Sequence, residues 1–256
     1  MRLSKDRFIT GAGWATIEEV NSLTPELLIL GLVRYIVFLF STTCHEASHA
    51  LAAKLGGDPT AFHSGQVSLN PIPHIRREPF GMVVVPLLAL LTGGAMIGWA
   101  SAPYDPLWQR RHPRRAAWMS LAGPAANFSL VLIAALLMRA GIFAGVFQPP
   151  ERISSLHLVE PAAPGIMEFA ARALSILFSL NLLLGTFNLL PVPPLDGFSA
   201  VGLILPESAA AGWNRLGLAI RGYSFLALLL CWQLFERIYW PVFSTGVHLL
   251  YPGMYR

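Results

Sequence analysis

The chain has 256 residues, of which 54% are hydrophobic and 12% charged, with a mean hydropathy of +0.55. A soluble domain carries about 25% charged residues, so this composition excludes an ordinary soluble globule and points to one compact polytopic membrane domain spanning residues 1–256. The formal charge of +4 comes without an unbroken basic run long enough for a nucleic-acid footprint, so no nucleic-acid partner is expected.

The first 24 residues mix Arg2, Lys5 and Arg7 with Asp6, Glu18 and Glu19, and no apolar core follows directly. A cleaved secretory signal is therefore not expected. The stretch "TPELL" reads as a helix start: Thr24 as N-cap, Pro25 at the first helical position, Glu26 at the positive end of the dipole. That helix should run to about Leu55, where "GGDP" stops it. Residues 60–79, "TAFHSGQVSLNPIPHIRREP", carry too many Pro, Gly and polar groups for a membrane helix, and short strands or a hairpin are expected. Their edge could hold an extended peptide by backbone pairing.

Residues 80–100 are apolar but contain Pro86, Gly93 and Gly94, so they read either as a crossing or as a re-entrant segment. "RR" at 76 and "RRHPRR" from 110 read as membrane-edge anchors. Helices are expected at 116–138 and, after a Pro-rich connection, at 170–190, stopped by "PVPP". Residues 216–235 form another candidate crossing, and 238–251 are too short to span comfortably. The expected fold is an all-α polytopic membrane protein of about four to six membrane segments, with a short β-hairpin or strand region after the first core helix. Its core lies at about 27–205 and further membrane segments at about 214–251. Cys44 and Cys231 both sit in apolar segments and suggest no disulfide framework.

Within the first helix, "CHEASH" places His45 and His49 four residues apart, on one face, where both can direct a ring nitrogen at one metal ion. Glu46 sits about 100° round the helix, poorly placed as a ligand but suited to reach a water at the metal's open position. Chance HExxH matches occur, yet ionisable groups inside a membrane segment are costly and mark function. A catalytic zinc site takes a third protein ligand, commonly a carboxylate. Asp196, in "NLLPVPPLDGFSA", is the best-placed acid: Pro191, Pro193 and Pro194 break the helix before it and Gly197 frees the backbone after it. The bland alternative is a loop Asp capping a following helix.

Three separated motifs resemble those of the site-2 proteases, which are intramembrane zinc metalloproteases. "HEASH" (45–49) matches HExxH, "GPAAN" (123–127) matches GPxxN, and "NLLPVPPLDG" (188–197) matches NxxPxxxxDG. "SLNPIPHI" also resembles the segment that follows HExxH in a compact prokaryotic branch without PDZ or CBS modules. The resemblance covers roughly residues 27–200. It implies one zinc ion per chain, held by His45, His49 and Asp196, with Glu46 as catalytic base and Asn188 near the developing oxyanion. It also implies that Asn127 helps pack the core helices through Gly123, that the substrate is a transmembrane segment of another protein, and that the chain is multi-pass in the cell membrane. A reading from another class is a membrane metal carrier or inactive regulator, from which a non-ligating Glu46 distinguishes a protease.

Other residues are given simpler roles. Cys44 faces away from its neighbour His45 and reads as a packed small residue. His63, His112, His157 and His248 have no partner at ligand spacing, and His74 beside "NPIP" is kept as a support or substrate-contact candidate. Arg34 reads as snorkelling to an interface, and Trp99, Tyr104, Trp108, Tyr239 and Trp240 as interfacial anchors. For His45 and Asp196 to share a metal, the first helix and the helix at 170–190 must leave the membrane on the same side. Residues 80–100 should then re-enter rather than cross, bent near Pro86 or Gly93 and Gly94. The basic clusters would face one side, which the positive-inside rule makes cytoplasmic, and the site would lie toward it.

Overall fold

The computed structural model describes residues 8–9, 25–91 and 96–255. Three long helices build the centre: α1 (Pro25–Gly56), α6 (Pro113–Phe143) and α7 (Met167–Asn188), with α6 packed between the other two. By length and composition these three are apolar enough to cross a membrane, so the all-α membrane architecture stands. The expected N-cap, Thr24, lies outside the described residues.

The end of α1 follows from "GGDP". Gly57 adopts φ +97°, its N–H donates to the Lys54 carbonyl at 3.1 Å, and the Asp58 N–H donates to Ala53 at 2.8 Å. This double bond pattern satisfies carbonyls the helix leaves open, and only glycine adopts that backbone cheaply. The Gly56 carbonyl accepts from Trp108 Nε1 at 3.1 Å and from Arg115 at 3.2 Å. Trp108, expected as an interfacial anchor, is instead a buried cap on α1. Asp58, 1% exposed, accepts from the Thr60 hydroxyl and from the N–H groups of Thr60 and Asp105, tying the basic loop to the end of α1. Burial alone would raise its pKa, but those donors hold the carboxyl below its ordinary value.

Residues 60–77 correct the sequence reading. They form two short helices, α2 (Thr60–His63) and α3 (Pro71–Arg77), and offer no strand edge. The Asn-Pro pair, within the expected strand region, is a helix start: the Asn70 side chain accepts from Ile72 N at 3.0 Å, with Pro71 at the first helical position. The short strands fall elsewhere, β1 (Phe8–Ile9) parallel to β3 (Arg152–Ile153) and β2 (Phe147–Gln148) antiparallel to β4 (Glu160–Pro161).

Residues 80–91 form a π-helical turn (Phe80–Val84) continued by α4 (Val85–Leu91), and the chain then turns back. Its two ends are bonded together: Trp99 N–H donates to the Gly81 carbonyl at 3.1 Å, and Ser101 Oγ donates to Glu78 at 2.5 Å. A full crossing would hold these ends a bilayer apart. The helix runs through Pro86, so the bend is not there, and Gly93 and Gly94 lie outside the described residues. Tyr35 Oη donates to the Met82 carbonyl at 3.1 Å, fixing the hairpin against α1. A Cβ at Gly81 would strike the Trp99 carbonyl. Gly81→Ala is therefore expected to lower stability by about 1–3 kcal/mol, measured by thermal unfolding in detergent. An unchanged melting temperature would mean that the two arms do not close on each other.

After α5 (Pro106–Arg111), α8 (Asp196–Ala200) and α9 (Glu207–Ile220), the last helix, α10 (Ser224–Leu250), runs for 27 residues. The expected division into 216–235 and 238–251 is thus replaced by a break at Arg221–Tyr223 and one long helix. Phe235, Phe243, Val247 and Tyr251 are buried at helical spacing on either side of Glu236 and Arg237, which lie between the two expected stretches. Phe235 packs edge-on against Phe187 of α7 and the later three cluster with Phe178 and Leu182, and the burial carries the helix through the polar pair and through Pro241.

Candidate metal centre

α1 presents His45 and His49 toward α6, where they meet Asn127 and Met119, and these two and Glu46 are nearly buried at 7%, 7% and 6% exposure. From 151 residues away, the turn after α7 brings Asp196 to them as the first residue of α8. Gly197 permits this approach, because a Cβ there would collide with the Leu189 carbonyl at the end of α7. Asp196 Oδ2 lies 3.1 Å from His45 Nε2 and 3.2 Å from His49 Nε2, and the two nitrogens lie 3.0 Å apart. Among the described residues this is the one group of three or more such side chains close enough to hold a metal ion.

The chemistry of the donor set fits a cation. His49 Nδ1 lies 2.7 Å from the Met119 carbonyl, which can only accept, so Nδ1 carries the proton and Nε2 presents a lone pair. His45 Nδ1 lies 2.6 Å from Asn127 Oδ1, with the same consequence. The Asp196 carboxylate supplies the third donor atom beside these two nitrogens. Three lone-pair atoms therefore converge at separations close to the edges of a zinc tetrahedron, about 3.3 Å for ligands near 2.0 Å from the ion.

Gly123 of α6 forms the roof. A Cβ there would meet Nε2 of both histidines, so the glycine of "GPAAN" is what lets α6 pass over the site. The sequence reading gave Asn127 a packing role; the structure places it 82 residues away in sequence but directly on His45. Asn181, which sequence reasoning missed, is fully buried and accepts from Asn127 Nδ2 at 2.8 Å. An Asn inside an otherwise apolar helix was the signal that could have found it.

Glu46 has no hydrogen bond or ion pair among the described residues. Asn188, expected near the oxyanion, ends α7 half-buried and donates from Nδ2 to its own helix at Leu184 O, 3.0 Å away. His74 is 1% exposed and bonds to the Ser68 carbonyl through Nε2 at 3.1 Å, outside the metal group. Cys44 is half-buried and free.

A family model described as peptidase family M50 matches residues 34–221, a stretch that contains all three motifs. The chain is 30% identical over 222 residues to "Putative zinc metalloprotease YwhC" of Bacillus subtilis, covering 85% of this chain and 89% of that one. It is 30% identical over 244 residues to "Putative zinc metalloprotease Rip2" of Mycobacterium tuberculosis, and 28% identical to the Rip2 of Mycolicibacterium smegmatis, each covering 93% of this chain and 85% of the relative. No solved structure matches the chain. With a His45, His49 and Asp196 group suited to zinc, a family match over most of its length and these relatives, the chain belongs to peptidase family M50, the site-2 protease family, and is a zinc metalloprotease.

Proposed function

We propose that the protein is an intramembrane endopeptidase that cuts transmembrane segments of other proteins, with His45, His49 and Asp196 as zinc ligands and Glu46 as catalytic base. The observation that carries this is the burial of the three α1 groups within a helix long and apolar enough to span a bilayer. Zinc held there supplies a Lewis acid for the scissile carbonyl and lowers the pKa of the attacking water. Glu46, buried and unpaired, accepts the proton of that water and passes it to the leaving amine. Asn188 has a second amide hydrogen beyond the one engaged by Leu184, and that hydrogen is its means of steadying negative charge on the substrate oxygen. The substrate helix must unwind locally, since a helical carbonyl is engaged in the i to i−4 ladder.

The test is cleavage in liposomes of two transmembrane peptides, one with a Gly-Pro pair at mid-helix and one with Leu at both positions. The first is expected to be cut and the second to resist. Cleavage only of a water-soluble extended peptide would make the protein a peripheral protease instead.

The site is proposed to open toward the cytoplasm. The bonded ends of the hairpin support placing Arg76 and Arg111, both exposed, on one side of the membrane. Arg76→Cys and Arg111→Cys, each in a Cys44→Ala, Cys231→Ala background, are expected to react with an impermeant thiol reagent only from the cytoplasmic face. Labelling of the two from opposite faces would make residues 80–100 a crossing.

A further inference from the structure

The His45 side chain is the end of a chain of hydrogen bonds that runs across three helices. Asn181 Nδ2 lies 2.8 Å from the carbonyl of Leu177 on its own helix, and a carbonyl can only accept. The amide nitrogen of Asn181 is thereby fixed on that side, where it also donates to Ser41 Oγ at 2.8 Å. Its oxygen must then face Asn127, whose Nδ2 donates to it at 2.8 Å. With Nδ2 committed, Asn127 has only its oxygen left for His45 Nδ1, 2.6 Å away. Ser41, Asn127 and Asn181 are all fully buried, so water does not offer competing partners.

We infer that Asn181 is a positioning residue for the metal centre: through Asn127 it fixes the proton of His45 on Nδ1 and leaves Nε2 as a lone pair aimed at the ion. The inference rests on His45 being a zinc ligand. The direction of the chain is its content. An amide at 127 without a fixed partner can rotate and present N–H to His45, which would place the imidazole proton on Nε2, where no metal can bind. Asn181 touches neither substrate nor metal; it acts through two side chains, and its effect appears in metal affinity rather than in contact with the reaction. Partners of this kind typically contribute 10- to 100-fold in metal affinity.

Four proteins test it: wild type, Asn181→Leu, the double variant Asn127→Asp with Asn181→Leu, and His45→Ala. Leu fills the space of Asn181 without an acceptor, so zinc affinity is expected to fall about 10- to 100-fold. An ionised Asp at 127 accepts from His45 Nδ1 whatever stands at 181, so the double variant is expected to recover to within about threefold of wild type by restoring that partner. A packing role for Asn181 predicts no such rescue. Asn181→Leu binding zinc like wild type, or a double variant as weak as Asn181→Leu, overturns the inference. His45→Ala separates the two questions, since normal zinc binding by that variant removes the ligand assignment itself.

A second measurement needs no variant to fold. In metal-free wild type with 15N-labelled histidine, at a pH where both imidazoles are neutral, the shifts of His45 are expected to show Nδ1 protonated. Protonation on Nε2 overturns the inference.

Discussion

Glu46→Gln is expected to keep about one zinc per chain and to lose cleavage by about 10²- to 10⁴-fold, the range general acid–base groups contribute. Three features make the loss large while sparing the metal. Glu46 is one residue from His45, so it projects about 100° away from the face that His45 and His49 share and is not among the three converging ligand atoms. It is 6% exposed and has no hydrogen bond or ion pair among the described residues, so its oxygens are not committed elsewhere. Gln keeps its volume and loses only the capacity to take up a proton. Metal analysis of the purified variant beside a peptide-cleavage assay checks both halves. Cleavage at the wild-type rate would remove Glu46 from the mechanism, and loss of zinc would make it a ligand.

Gly123→Ala is expected to weaken zinc binding by at least about 100-fold, beyond the usual cost of losing a supporting partner, without unfolding α6. Alanine is favoured over glycine in a helix interior by about 1 kcal/mol, so the helix itself gains. The new methyl, however, would occupy the space of Nε2 on both histidines, and neither ring can withdraw while its Nδ1 is held by Asn127 or Met119. The contrast with Gly212→Ala is informative, because among the described residues no atom outside its own helix lies within 4 Å of the Cβ that would be added there. That variant should leave zinc affinity unchanged. Equal zinc binding by Gly123→Ala and wild type would mean that α6 does not cover the metal site as closely as the structure places it.

The sequence by itself determined what depends on near neighbours along the chain. The two histidines share a face because a helix repeats every 3.6 residues, and Glu46 stands off that face for the same reason. The end of α1 followed from Gly57, and the high apolar content marked α1, α6 and α7 as helices able to cross a bilayer. Local signals also misled. The Pro, Gly and polar groups of residues 60–79 suggested short strands where two short helices form, and the stretches 216–235 and 238–251 suggested two segments where α10 continues. Both errors have one cause: the same residues serve loop and helix, and the neighbours against which they pack choose between them. Tertiary structure alone decided that α6 roofs the site through Gly123, that Asn127 holds His45 across 82 residues, and that Asn181 closes the chain of amides behind it. Asp196 stands between the two cases, suggested by the prolines and glycine around it but brought to the histidines only by the packing of α8 against α6 and the end of α7. Such contacts depend on how three helices approach one another, which is set by side chains meeting across the whole core rather than by any stretch of sequence short enough to show a period.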